Sequence, residues 1–173
     1  MSTSRSSPID GCPVMIELFS RVPDMLGTEI RGRLAPIPMS DEVSSLSAIL
    51  LGSDYYGWAE AGRTAIEGLP VVRPEHLIPL KAKAWLDLTA RAADGQRIDR
   101  KDIRKHRNDV FRLYAIVDPD YRPRTVASIW SDMQLFIERM RGEEVDLKSA
   151  GLGGASLDAV LDALSRMYAS PTV

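Results

Sequence analysis

The chain has 173 residues, 45% hydrophobic and 27% charged, enough apolar material for a domain with a real core. Its net charge of −2 excludes strong overall attraction to nucleic acid, and no apolar run approaches the roughly 20 residues that span a bilayer. The single cysteine, Cys12, excludes an intrachain disulfide and makes a reducing cytoplasm the expected location.

Residues 1–11, MSTSRSSPIDG, are polar and turn-rich and read as a flexible lead with no signal-peptide-like hydrophobic segment. Val14 to Arg21 is the most strand-like run, and Thr28 to Pro38 is a weaker strand candidate; Pro23, Asp24 and Gly27 mark the loop between them. In VSSLSAILL, Val43, Leu46, Ile49 and Leu50 recur at helical spacing, although the serines and β-branched residues also allow a strand. YYGWAEAG reads as a short helix ending at Gly62. TAIEGLPVV reads as a hairpin turning at Glu67-Gly68, with Pro70 favouring an edge position.

From Pro74 the chain becomes helical. Leu77, Leu80, Ala84 and Leu88 step by three or four, and Gly95 is a natural stop. The next helix opens at Asp99, whose side chain can cap free amides, with Asp102 close to the positive end of the helix dipole. Its expected buried stripe is Ile103, Val110, Leu113 and Val117, and DPDYRP ends it. A further helix is expected from about Pro123 through Val126, Ile129, Trp130, Met133, Ile137 and Met140 to Gly142. The Gly-rich SAGLGGAS then leads to a last helix from Ser156, which reads as its cap, to about Ala169. The fold class is therefore α+β, a small strand-bearing N-terminal part followed by a helical C-terminal part. No internal repeat is present.

A few features carry chemical interest. In a strand, Glu17 shares a face with Met15 and Phe19, so it either reaches solvent from an open sheet face or sits beside a cation. As a Mg²⁺ ligand it would need further oxygen donors, usually another carboxylate and substrate phosphates. Residues 97–112 hold seven Lys or Arg against three Asp, a local balance of about +4 that suits either a solvated helix face or phosphate binding. Lys81 sits one turn before Trp85 beside the apolar stripe, and Lys83 precedes Asp87 by the four residues of a helix ion pair. His106 lies on the Ile103/Val110 stripe and reads as a half-buried, hydrogen-bonded residue, with no second histidine near enough in sequence for a zinc site. GLGG (Gly151 to Gly154) lacks the Lys-Ser/Thr ending of a phosphate loop, and GSD (Gly52 to Asp54) lacks the spaced acidic pair of a nucleotidyltransferase turn.

Taken together, PVMIELFSR, EVSSLSAILL, IEGLPVVRPEHLIPLKAKAWLDLTAR and RKDIRKHRNDVFRL resemble bacterial nucleotidyltransferase-like proteins related to the abortive-infection (AbiEii-type) group of toxin–antitoxin systems. The resemblance spans roughly residues 12–118. It implies an N-terminally incomplete nucleotidyltransferase-like α+β domain there, with 119–173 as a helical extension packed on it. It further implies that Glu17 is the third metal-binding carboxylate, that Lys81 meets the triphosphate, and that Asp109 is the acidic residue of the later helix, with Asp102 as fallback. Arg104 and Arg112 of the basic helix would add phosphate contacts, and Mg²⁺ would be the cofactor. The family's Gly-Ser turn and first two carboxylates should precede Glu17, and the residues before Cys12 are too few to hold them. The expectation is a nucleotidyltransferase-like protein with a partial Mg–nucleoside triphosphate site, weakly active or inactive as the chain stands. The alternative is a non-catalytic module that dimerises or binds a partner through an exposed sheet edge and the basic helix.

Overall fold

The computed structural model describes residues 18–21, 34–36 and 47–170, with side chains from Leu51 onward. By contact the chain divides into two units, 1–52 and 53–173. This division falls inside the expected 12–118 domain, and it groups the helices beyond residue 119 with those before it.

The first unit contains β1 (Leu18–Arg21), β2 (Leu34–Pro36) and β3 (Ser47–Leu51). They form one sheet in the order β1-β3-β2, with β1 parallel to β3 and β2 antiparallel to it. Both strand expectations therefore hold where they fall on described residues. In VSSLSAILL the strand alternative, not the helical one, holds over the described residues. Residues 47–51 are a strand, because Ala48 to Leu51 is a short continuous apolar run, and pairing on both sides satisfies its backbone.

The second unit begins with α1 (Ser53–Ala61) and continues through β4 (Arg63–Ile66) and β5 (Leu69–Val72). The hairpin turns where expected: Glu67 and Gly68 both have positive φ, 51° and 82°, the two left-handed positions of a tight two-residue turn. Four helices follow: α2 (Pro74–Ala93), α3 (Arg100–Tyr114), α4 (Ala127–Met140) and α5 (Leu157–Met167). Architecture is thus mixed α+β and mostly helical.

Local chemistry explains most of these ends. Pro74 starts α2 without wasting a helical donor, and Gly95, at φ 81°, follows its end. Asp99 caps α3 by accepting from the Lys101 amide at 2.8 Å, and Ser156 caps α5 by accepting from the Ala159 amide at 3.2 Å. Two boundaries differ from the expectation. Helix α3 stops at Tyr114, and α4 starts at Ala127 rather than near Pro123; the cap is Val126, which offers no side-chain bond.

The core lies among α2, α3, α4 and α5. Phe136 of α4 is its hub: Trp85 meets it edge-on at 5.4 Å between ring centres, and Phe111 lies at 6.4 Å. Ile129, Met133 and Met140 of α4 and Leu161, Leu164 and Met167 of α5 are fully buried around it. The buried face of α2 is Ile78, Leu80, Ala82, Trp85 and Leu86, so the expected stripe of Leu77, Leu80, Ala84 and Leu88 is rotated. Neighbours on several sides of a helix, here α1, α3 and α4, widen and turn the face that a one-sided periodicity describes. On α3 only Val110 and Phe111 are fully buried, while Ile103 and Leu113 are half-buried.

Pro79 sits inside α2, where it cannot donate to the carbonyl of Glu75 four residues back. The phenol of Tyr168, just beyond α5, donates to that carbonyl at 2.6 Å. A side chain 93 residues away therefore replaces the missing helical bond, and α2 runs through its proline.

Candidate functional site

The short link after α2 brings α3 back against it as a helical hairpin, so the helices bearing Lys81 and Asp109 pack directly together. Lys81 lies between buried Leu80 and Ala82, is itself half-buried, and is engaged with a neighbouring group. Asp109 is mostly covered, its side chain 19% exposed, and its carboxylate lies 3.4 Å from the Arg112 guanidinium one turn on. Arg112 is largely exposed, as are Arg104 and Asp102. Arg107 spends part of the basic surface on Glu143, at 3.1 Å. His106 is half-buried and engaged, in line with its expected position. Glu17 lies outside the described residues.

A Mg²⁺ ion needs several oxygen donors converging on one point. Among the described residues no three His, Cys, Asp or Glu side chains come together in this way. Asp109 is turned instead toward an arginine. The described donors do not suffice for the expected ion.

Lys83 carries a second connection that spacing alone foresaw only in part. Its ammonium lies 3.1 Å from Asp87, the expected helix pair, but also 3.6 Å from Asp132 of α4. Asp132 in turn accepts from the buried Tyr55 phenol of α1 at 2.8 Å. Burial, and then the neighbouring Asp132 charge, drive the Tyr55 phenol far above its ordinary value, so it stays protonated and keeps donating to Asp132. Ser128 donates to Asp54 at 2.7 Å, a second tie between α1 and α4. These contacts fasten helices together and involve no free nucleophile.

A more unusual cluster went unread in the sequence. At the first turn of α2, His76 is 3% exposed, and its ring packs at a tilt against Trp58, 4.6 Å between ring centres, and lies 6.4 Å from the Tyr121 ring. Trp58 donates its indole N–H to the His76 carbonyl at 2.9 Å. Arg73 donates to the Tyr121 hydroxyl at 3.0 Å and lies over that ring. Three buried polar atoms here make no hydrogen bond: Nε of Arg73, Oε2 of Glu75 and Nδ1 of His76. Burial and then the Arg73 charge lower the His76 pKa, against a smaller raising effect of Glu75, so the ring is held neutral. Burial likewise raises the Tyr168 phenol. A neutral imidazole with an open Nδ1 has the chemistry of a base, but Gly62 closes on it so tightly that an added Cβ would lie 2.2 Å from its Cγ. It acts as a packed wedge between α1 and α2. The available signal was Pro79: a proline inside a helical pattern requires a replacement donor four residues upstream, and that donor brings a partner to the start of α2.

Comparison of the chain with protein-family models, with curated proteins and with solved structures finds no match.

Proposed function

We propose that the chain is a nucleotidyltransferase-like protein that holds a nucleoside triphosphate against the α2–α3 hairpin. The observation that supports this reading is the direct packing of α2 on α3, which puts a half-buried lysine and a mostly covered aspartate on one helix pair beside a basic outer face. Lys81 would neutralise phosphate charge from a partly desolvated position, where a cation acts more strongly than in bulk water. Arg104 and Arg112, exposed on α3, would meet the outer phosphate oxygens. On binding, Arg112 would exchange its Asp109 partner for phosphate and release that carboxylate. The β1-β3-β2 sheet of the first unit would be part of a nucleotidyltransferase-type sheet. With no group of metal donors among the described residues, the chain would turn over weakly or not at all, so binding is the property to measure.

Calorimetric titration with each of the four nucleoside triphosphates, with and without Mg²⁺, tests this reading. At least one triphosphate should give saturable heat, and Arg104→Ala with Arg112→Ala should weaken it without altering the circular dichroism spectrum. Absence of saturable heat with all four, at millimolar nucleotide, would overturn the proposal.

A further inference from the structure

The β4–β5 hairpin has two unlike outer edges. Its closing pair is Ile66 with Leu69, and pairs of an antiparallel ladder alternate between hydrogen-bonded and non-hydrogen-bonded. The Arg73 amide donates to the Gly62 carbonyl at 2.9 Å, which sets the phase: 62/73, 64/71 and 66/69 are the bonded pairs. Arg63 and Ala65 of β4, and Pro70 and Val72 of β5, therefore turn their backbone groups outward. Pro70 has no N–H to offer, so the β5 edge is blunted. The β4 edge keeps the N–H and C=O of both Arg63 and Ala65, and no further strand pairs with it among the described residues.

The side chains around that edge are suited to one occupant. Every residue of β4 is exposed, and Ile66 and Leu69, on one face of the hairpin, are 61% and 69% exposed. Arg63 and Glu67 sit two residues to either side of Ala65. If the strand meets another like it in antiparallel register, with Ala65 opposite Ala65, each arginine lies across from a glutamate. A parallel pairing would set like charges side by side. Arg63 is 3.4 Å from Glu60 within its own chain, but that pair is half-exposed and screened, so exchanging it costs little.

We propose that β4 is a self-association edge, through which two copies of this chain pair strand to strand about a twofold axis at Ala65, with Arg63 opposite Glu67 of the partner subunit. The result is a four-stranded antiparallel sheet in the order β5-β4-β4-β5. The outward amides and carbonyls of Ala65 satisfy one another across the axis. Ile66 packs beside Thr64 of the partner subunit, removing part of its surface from water. Such an interface is isologous and small, so the dimer forms and dissociates with concentration. This inference is independent of nucleotide binding at α2–α3.

Sedimentation equilibrium across a wide concentration range tests it. The wild-type mass should rise from 19.1 kDa toward twice that value. Ala65→Pro removes an outward amide at a position whose cross-strand neighbour is already proline, so the hairpin survives and the mass should stay at the monomer value. Arg63→Glu and Glu67→Lys should each be monomeric alone, since each sets like charges across the axis. An equimolar mixture of those two variants restores both opposite-charge pairs and should recover the dimer. A wild-type mass that never rises, an Ala65→Pro protein that associates like wild type, or a mixture that stays monomeric would each overturn the proposal.

Discussion

The β4–β5 hairpin and the first half of α2 meet at Arg73, yet they treat their side chains in opposite ways. All four residues of β4 are exposed, and the hairpin holds its shape by backbone bonds and a left-handed turn. Immediately afterwards, α2 buries not only Ile78, Leu80 and Trp85 but also a histidine, and even tolerates a proline. Local backbone chemistry suffices for a turn, whereas the helix depends on groups from α1, α4 and the end of α5. Disturbing the helix should therefore cost far more than disturbing the hairpin.

The largest effect is expected at Trp85. Trp85→Ala removes the ring that meets Phe136 edge-on and leaves a cavity at the hub of the core; chemical denaturation should register a loss of about 3–5 kcal/mol. Next comes the junction itself. Gly62→Ala drives a methyl group against the His76 ring, which Trp58 prevents from yielding, and should cost toward the upper end of about 1–3 kcal/mol by the same measurement.

Tyr168→Phe leaves the Glu75 carbonyl without a donor and should cost on the order of 1 kcal/mol. Adding Pro79→Ala supplies the missing helical amide and should recover most of that loss. If the double variant is no more stable than Tyr168→Phe, the repair account is wrong. The His76 ring gives a pH signature. Its native pKa is lowered from the ordinary 6.5, so below about pH 6.5 the unfolded chain takes up a proton that the folded chain resists. Stability is complete above that window and falls as the pH drops through it. His76→Phe should flatten the curve there relative to wild type, measured by denaturant midpoints at closely spaced pH values. The smallest effect belongs to the hairpin: Ile66→Ser, on a residue 61% exposed, should change monomer stability by no more than about 0.5 kcal/mol.

Features governed by a few neighbouring residues were legible from the chain. The Glu67-Gly68 turn, the Asp99 and Ser156 caps, the Gly95 stop and the Lys83–Asp87 pair all follow from local backbone or spacing rules, and all are present. The start of α4 was misplaced because Pro123 is a good first-turn residue, but nothing obliges a helix to begin at the first suitable proline. Of the expected site, the hairpin packing behind Lys81 and Asp109 follows from the short link between two helical patterns. The Asp109–Arg112 pair did not stand out within so crowded a run of charges.

Which residues can turn, cap or alternate is written into the sequence itself, because backbone dihedrals and hydrogen bonding to near neighbours act over a few residues. Tertiary structure alone decided which face of α2 is buried, that His76 is sealed neutral against Trp58 and Gly62, and that Tyr168 mends the bond Pro79 cannot make. Those outcomes depend on side chains many residues apart meeting at hydrogen-bond or van der Waals distance, and burial and desolvation exist only once they meet.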